Sequence, residues 1–289
     1  MKIVNLTSGL ANRFGLKEAI RLIKDHGFDG YDCSLYSLMT GDGIFSGDDY
    51  LDQAKKIREY ADSIGIPCLQ SHSPDPALRQ FYQIDAMMDM QKRAIEISAI
   101  LGAEVVVIHP SAITDAEGNY ERIYSKLLPL ARKLGIKIAT ENMFSWKDKN
   151  EIETVPSACG DGRDFKRYID YVNDEYFTAC LDLGHAEMMY CKGAVESIMA
   201  LGGKRLGALH VQDNDCLHDD HIFPFMGAIK WEPICKALAD VDYSGHFTFE
   251  ASNYMKNFPD ELIPELLDLL CASGKYLVER IEYYKKLSN

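Results

Sequence analysis

The 289-residue sequence predicts one closed (β/α)8 barrel, the TIM-barrel architecture, as a single domain over residues 1–289. Three observations carry this reading. A short apolar run recurs along the chain, each time just behind a glycine; amphipathic segments separate the runs; and no linker-like or low-complexity stretch interrupts the series. The competing architecture is an open doubly wound sheet, but neither a GxGxxG nor a GxxxxGK[ST] sequence follows the first run.

The elements follow in order. Lys2–Thr7 is the first strand. Gly27 leads through Phe28-Asp29-Gly30-Tyr31 to Asp32-Cys33, and Gly65 through Ile66-Pro67-Cys68-Leu69 to Ser71-His72. Gly102 leads through Val105–Ile108 to His109, and Gly135 through Ile136–Ala139 to Glu141. Phe177–Leu181 precedes Asp182. Gly203 leads through Leu206–Leu209 to His210, and Gly245 through Phe247–Phe249 to Glu250. Each glycine suits the left-handed end of a helix. The runs do not alternate with polar residues, as expected of parallel strands covered on both faces. The intervening segments carry helical stripes, such as Leu16, Ala19, Ile20 and Ile23, then Leu51, Ala54, Ile57, Ala61 and Ile64.

Composition excludes several functions. With 31 basic against 44 acidic residues the formal charge is −13, which argues against a surface built to release counterions from nucleic acid. No apolar run approaches the roughly 18 residues of a membrane span. The N-terminus lacks an extended apolar segment, so no signal peptide is expected. The eight cysteines include no CxxC pair and several sit in apolar runs, which reads as reduced, buried thiols in a cytoplasmic protein. The Asn5-Leu6-Thr7 sequon then carries no meaning.

Chemistry concentrates where this fold places active sites, at the C-terminal ends of the strands. Six consecutive strands end on His72, His109, Glu141, Asp182, His210 and Glu250. Imidazoles mixed with carboxylates suit Zn²⁺, Mn²⁺ or Co²⁺, whereas cysteines would indicate structural zinc and an all-oxygen set Mg²⁺ or Ca²⁺. Two glutamates from separate strands can also move protons across a bound substrate. His185 follows Asp182 by three residues, and His218-Asp219-Asp220-His221 forms a ligand-rich loop that could equally be a solvated acidic one. Asp213-Asn214-Asp215 reads as a turn, and Gly41-Asp42-Gly43 as a flexible lid without calcium-loop spacing. Phe144, Trp146, Phe223 and Trp231 could wall the pocket or pack in the core.

These residues resemble the xylose isomerase-like TIM-barrel superfamily of sugar isomerases and epimerases, inosose-processing enzymes and zinc-type abasic-site endonucleases. The resemblance spans the chain and rests on Ser71-His72-Ser73-Pro74, Val107-Ile108-His109-Pro110, Thr140-Glu141-Asn142, Cys180-Leu181-Asp182-Leu183-Gly184-His185, His210-Val211-Gln212-Asp213-Asn214, Asp219-Asp220-His221 and Phe249-Glu250. It implies that Glu141, Asp182, His210 and Glu250 hold one divalent metal as in the ketose 3-epimerases. The two glutamates would there exchange the substrate proton, and His185 would contact a substrate oxygen. It implies equally that His72, His109, Glu141, Asp182, His185, His210, Asp219, His221 and Glu250 match the nine ligands of the trinuclear-zinc endonucleases.

Other positions separate the branches. Asn214-Asp215 stands where the nucleases carry Ser-Lys, and Ser73-Pro74-Asp75 where they carry an aromatic that opens DNA. The Leu183-Gly184-His185 sequence is common in the sugar branch. Against that, Phe225-Met226-Gly227-Ala228-Ile229-Lys230-Trp231 departs from the sugar branch's Gly-x-Gly and Asp-Trp pattern. The expectation is therefore a metal-dependent sugar (ketose or polyol ketone) isomerase or epimerase. It works through a metal-stabilised enediolate, with Glu141 and Glu250 as acid and base and His185 steering. Inosose or keto-glycoside elimination on the same site, the abasic-site nuclease, and a non-catalytic metal- or sugar-binding barrel are the alternatives. The expected partner is a small sugar, unphosphorylated because no Lys/Arg cluster stands near the strand ends; a homo-oligomer is compatible with the sequence.

Overall fold

Eight parallel strands form in the computed structural model, which describes residues 1–74, 81–112, 114–146, 154–188 and 193–288. They are β1 (Ile3–Leu6), β2 (Gly30–Ser34), β3 (Cys68–His72), β4 (Val105–Val107), β5 (Lys137–Glu141), β8 (Phe177–Asp182), β9 (Leu206–His210) and β10 (Phe247–Phe249). The order is β10-β1-β2-β3-β4-β5-β8-β9, so each strand lies beside its sequence neighbour in the barrel. Closure comes from the backbone just past β9: Val211 N donates to Thr248 O at 2.8 Å and Glu250 N to Val211 O at 3.1 Å. The expected single barrel is thus the observed one, with every expected strand present and the first shorter by one residue at each end.

An antiparallel hairpin that the apolar runs do not announce, β6 (Phe144–Trp146) with β7 (Thr154–Pro156), follows β5. The helices are α1 (Ser8–Phe14), α2 (Leu16–Asp25), α3 (Ser37–Thr40), α4 (Tyr50–Ile64), α5 (Phe81–Leu101), α6 (Ala116–Asn119), α7 (Ser125–Leu134), α8 (Gly162–Val172), α9 (Leu183–Glu187), α10 (Ala194–Arg205), α11 (Trp231–Asp240) and α12 (Ile263–Ser288). Gly65 and Gly135 end α4 and α7 at φ 74° and 72°, a conformation that costs other residues because their Cβ meets the backbone. Two expected glycine ends differ. Before β9 the helix runs on to Arg205 with a kink at Gly202 (φ 66°) instead of ending at Gly203, and before β10 the left-handed residue is Asp242 (φ 51°), not Gly245. No helix among the described residues is long and apolar enough to cross a membrane.

The core divides in two. A large outer layer packs between strands and helices and includes Ile20, Ile57, Leu127, Ile198, Phe247 and Phe249. Inside the barrel lies a small second cluster of Val105, Val107, Ala139, Cys180 and Ala208. Since side chains alternate along a strand, the next inward positions after Val107, Ala139, Cys180 and Ala208 are His109, Glu141, Asp182 and His210. The seven cysteines among the described residues are free thiols. Burial pushes the Cys180 thiol up to about 12, so it sits beneath the barrel mouth as a neutral group.

Candidate active site

The strand ends deliver their ionisable residues to one point. Glu141 and Asp182 close β5 and β8, His210 closes β9, and Glu250 follows β10. One potential ligand atom from each lies within 4.8 Å of all the others. His210 Nδ1 is 3.0 Å from both Glu141 Oε2 and Glu250 Oε2. Glu141, Asp182 and His210 are fully buried and Glu250 nearly so, at 5% exposure.

Two further groups share this centre. His72, at the end of β3, and His109, two residues past β4, form a triad with Glu141. His109 Nε2 lies 3.0 Å from Glu141 Oε2 and 3.1 Å from His72 Nε2. On the other side His185, Asp219 and His221 form a second triad. Asp219 reaches His221 Nε2 at 2.9 Å and His185 Nε2 at 3.3 Å. The structure therefore brings together every expected site residue. His218 is the exception in its loop: it stays at the surface, 2.8 Å from Asp215.

Backbone carbonyls set three of the imidazoles. A carbonyl can only accept, so His72 Nδ1 donates to Ser73 O (2.8 Å), His185 Nδ1 to Asn142 O (2.9 Å) and His221 Nδ1 to Glu250 O (2.8 Å). Each Nε2 is thereby turned toward the carboxylates, the arrangement metal-binding histidines use.

Electrostatics follow from this crowding. Burial raises the Glu141 carboxyl, but His210 and His109 beside it outweigh that and hold it well below the usual carboxylate range. Glu250 behaves likewise: burial opposes ionisation, and His210 brings it down to about 2. Asp182 goes the other way, pushed up to about 6 by burial, with His185 opposing and the charges of Glu141 and Glu250 adding. Burial should lower the imidazoles, yet Asp182 and Asp219 raise His185 well above its ordinary value, and Asp219 raises His221 to about 10. Burial lowers His210 too, and its neighbours, Glu250 and Glu141 among them, outweigh it. Histidine protons thus balance the buried carboxylates.

The residues fit a divalent cation. Glu141 Oε1, Asp182 Oδ2 and both ring nitrogens of His210 are buried and make no hydrogen bond among the described residues. Buried polar atoms of this kind are costly unless something else satisfies them.

Several supporting residues carry no role that the sequence announces. Asn142 clamps the end of β8: its Nδ2 donates to Asp182 O (2.9 Å) and its Oδ1 accepts from Asp182 N (2.7 Å). Gln212 Nε2 donates to Asp219 Oδ1 (2.6 Å), and its Oε1 accepts from His221 N (3.2 Å). Gln212 packs so closely on Gly184 that a Cβ there would lie 2.3 Å from it. Tyr36 donates to Glu250 Oε1 at 3.4 Å and lies 3.2 Å from His72 Nε2. The one signal for Asn142 and Gln212 is their position, next to or near a strand-end ligand.

One expectation needs correction. Asp213-Asn214-Asp215 is not a solvent turn, because Asp213 is fully buried and bridges to Ile222. Asp213 accepts from Asn214 N, Ile229 N, Phe225 N and Trp231 Nε1 at 2.9–3.2 Å, and so fixes the loop that carries Asp219 and His221. We expect Asp213→Ala to cost about 3 kcal/mol or more in urea unfolding, because four donors lose one charged acceptor. Trp231 is accordingly a core residue, as is Phe223 against Tyr254. Phe144 does line the site, edge-on to His185 at 5.1 Å between ring centroids. The side chain of Trp146 and all of Asp75 lie outside the described residues.

The family model for xylose isomerase-like TIM barrels matches residues 14–273. The chain belongs to that family. Among curated relatives, this xylose isomerase-like chain is 26% identical over 204 residues to the uncharacterized protein y4fM of Sinorhizobium fredii, covering 67% of this chain and 62% of that protein's length. It is 22% identical over 272 residues to the uncharacterized protein MJ1311 of Methanocaldococcus jannaschii, covering 88% and 86%. Solved structures with the same fold include a D-tagatose 3-epimerase-like protein (TM-score 0.72, 20% identity, 100% of both chains). A D-psicose 3-epimerase crystallised with D-fructose also matches (TM-score 0.72, 16% identity, 96% and 99%). So does the IOLI protein, solved with a zinc atom (TM-score 0.71, 18% identity, 98% and 99%).

Proposed function

We propose that the protein is a divalent-metal-dependent isomerase or epimerase of a ketose or related polyol ketone. One observation carries the reading: Glu141 and Glu250, three strands apart around the barrel, flank His210 Nδ1 at 3.0 Å each, with Asp182 in the same group. The sugar epimerases among its structural relatives support it. Glu141, Asp182, His210 and Glu250 would hold the metal, Mn²⁺ or Zn²⁺ by the mixed donor set, with Co²⁺ also suited. When bound, the cation supplies Lewis-acid polarisation of adjacent substrate oxygens.

The chain's own residues supply the proton transfer. Both glutamates are held ionised by neighbouring histidines, so either can take the proton from the carbon next to the substrate carbonyl. Return of a proton to the opposite face of the enediolate by the other glutamate, once solvent or a protonated neighbouring histidine has supplied it with one, inverts that carbon. His185, with Nδ1 anchored on Asn142 O, offers Nε2 to a substrate hydroxyl. Next to the site, Tyr36 also lines a cleft of about 350 Å³ with Ser8, Asn12, Ser34, Ser37 and Asp42. That lining contains no Lys or Arg and suits an unphosphorylated polyol.

Metal-loaded protein incubated with ketohexoses in D2O is expected to place deuterium on the carbon beside the carbonyl, read by NMR. Turnover without label would mean hydride transfer and overturn the two-glutamate scheme.

The two flanking triads favour a second reading, phosphodiester hydrolysis at abasic sites by three zincs held on all nine residues. The −13 charge and the buried Ser73-Pro74 pair in place of an exposed aromatic weigh against it. Three zincs per chain, with cleavage of an abasic duplex lost in Glu141→Gln, would establish it in place of the sugar reading.

A further inference from the structure

His210 is anchored differently from the other site histidines. Its Nδ1, not its Nε2, faces Glu141 and Glu250, and its other nitrogen makes no hydrogen bond among the described residues. That Nε2 points down into the barrel, 3.8 Å from Asp32 Oδ2. Asp32 lies in the middle of β2, fully buried, paired in register with Gln70 of β3. Gln70 Nε2 donates to Asp32 Oδ2 (2.8 Å), and Gln70 Oε1 in turn accepts from Thr248 Oγ1 (3.3 Å). Asp32 Oδ1 makes no hydrogen bond among the described residues. Its one ion-pair partner among them is His210. A carboxylate so enclosed is costly unless a donor of matching charge meets it. The imidazole nitrogen and the carboxylate face one another across 3.8 Å, just beyond hydrogen-bond length, through the oxygen that also accepts from Gln70.

We propose that Asp32 is a positioning residue for His210, accepting the Nε2 proton of the imidazole so that, in the neutral ring, it is Nδ1 that carries the lone pair on the side of Glu141 and Glu250. Where carbonyls hold His72, His185 and His221 through Nδ1, a charged acceptor holds His210 through Nε2, one layer below the site. A carboxylate anchor makes an imidazole a stronger donor than a carbonyl anchor does, and anchors of this type behind a ligand govern metal affinity by about 10–100-fold. The inference rests on the reading that His210 is a metal ligand, and the Gln70–Thr248 chain beneath Asp32 is what fixes the carboxylate for it.

The test compares wild-type, Asp32→Asn and Asp32→Glu proteins by competition for Zn²⁺ or Mn²⁺ with a chromophoric chelator, and by their melting without metal. The asparagine variant is expected to lose about 10–100-fold in affinity with unchanged metal-free melting, and the glutamate variant to recover most of it. Affinity in Asp32→Asn within about threefold of wild type would overturn the proposal. The tautomer is read independently in metal-free wild-type protein labelled with ¹⁵N-histidine, at alkaline pH where the imidazole carries a single proton, the His210 signals being assigned by their loss in His210→Gln. Protonation at Nε2 supports the proposal and protonation at Nδ1 alone overturns it, whether or not Asp32→Asn folds. Failure of the wild-type protein to bind either metal would instead sink the metal-centred function, leaving the tautomer to decide the role of Asp32.

Discussion

Glu250→Gln is expected to lower turnover by about 10²–10⁴-fold, the usual contribution of a positioned acid or base. Glutamine keeps the size and an oxygen donor but can neither take nor return a proton. Glu141→Gln is expected to do at least as much, because Glu141 also belongs to the His72–His109 triad. Metal content separates the two duties each glutamate carries. A variant that keeps its metal but loses epimerisation has lost a proton-transfer group. One that loses both has lost a ligand first. If either variant keeps both activity and exchange, the two-glutamate scheme is wrong. The paired substitutions also test direction: with one glutamate left, a proton removed from one face returns to the same face. Exchange of label would then persist for one epimer without net epimerisation.

Metal removal is expected to have the largest effect on stability. A cation at about 1,000 times its Kd stabilises by about 4 kcal/mol, and for a chain of this size that amounts to roughly 8 °C in melting temperature. The pH dependence has a definite sign. In the metal-free protein His185, His210 and His221 have raised folded pKa values. The stability they contribute is fully present below about pH 6.5, the unfolded value, and is lost as pH rises, for His221 through about 10. Asp182 acts in the same sense between its ordinary value and about 6. Glu250 acts in the opposite sense, losing its contribution only as pH falls toward about 2. Metal-free protein should therefore weaken from pH 6 to pH 9. A metal held by His210 must displace a proton of that ring, so its stabilisation should grow over the same range. Melting curves with and without chelator at the two pH values check this, and elemental mass spectrometry on the same samples counts the ions. Equal metal stabilisation at both pH values would show that binding releases no proton from His210.

Much of this site is legible in the sequence alone. Parallel strands buried on both faces must read as apolar runs, and a barrel must put its chemistry at their C-terminal ends. Those two constraints pick out His72, His109, Glu141, Asp182, His210 and Glu250 directly. The loop residues Asp219 and His221 are legible only as ligand types in a loop that could have stayed in solvent. Asp213 shows why: a local reading makes Asp213-Asn214-Asp215 a turn, whereas the fold buries Asp213 to gather four donors from residues 214 to 231. The β6–β7 hairpin that brings Phe144 to His185 has no apolar run to announce it.

Periodicity and strand termination are local properties of the chain, so the barrel, the face where its ionisable residues gather and the side-chain type at each strand end are all legible in the sequence. The tertiary structure alone decided which of these groups meet. Alternation tells that Asp32, Gln70 and His210 face inward, but strand stagger sets their heights inside the barrel. That stagger is a property of hydrogen-bond register between strands, such as Asp32 beside Gln70 and Asp182 beside His210. It places a charge in the middle of the second strand under a histidine 178 residues later, a pairing that no spacing along the chain encodes.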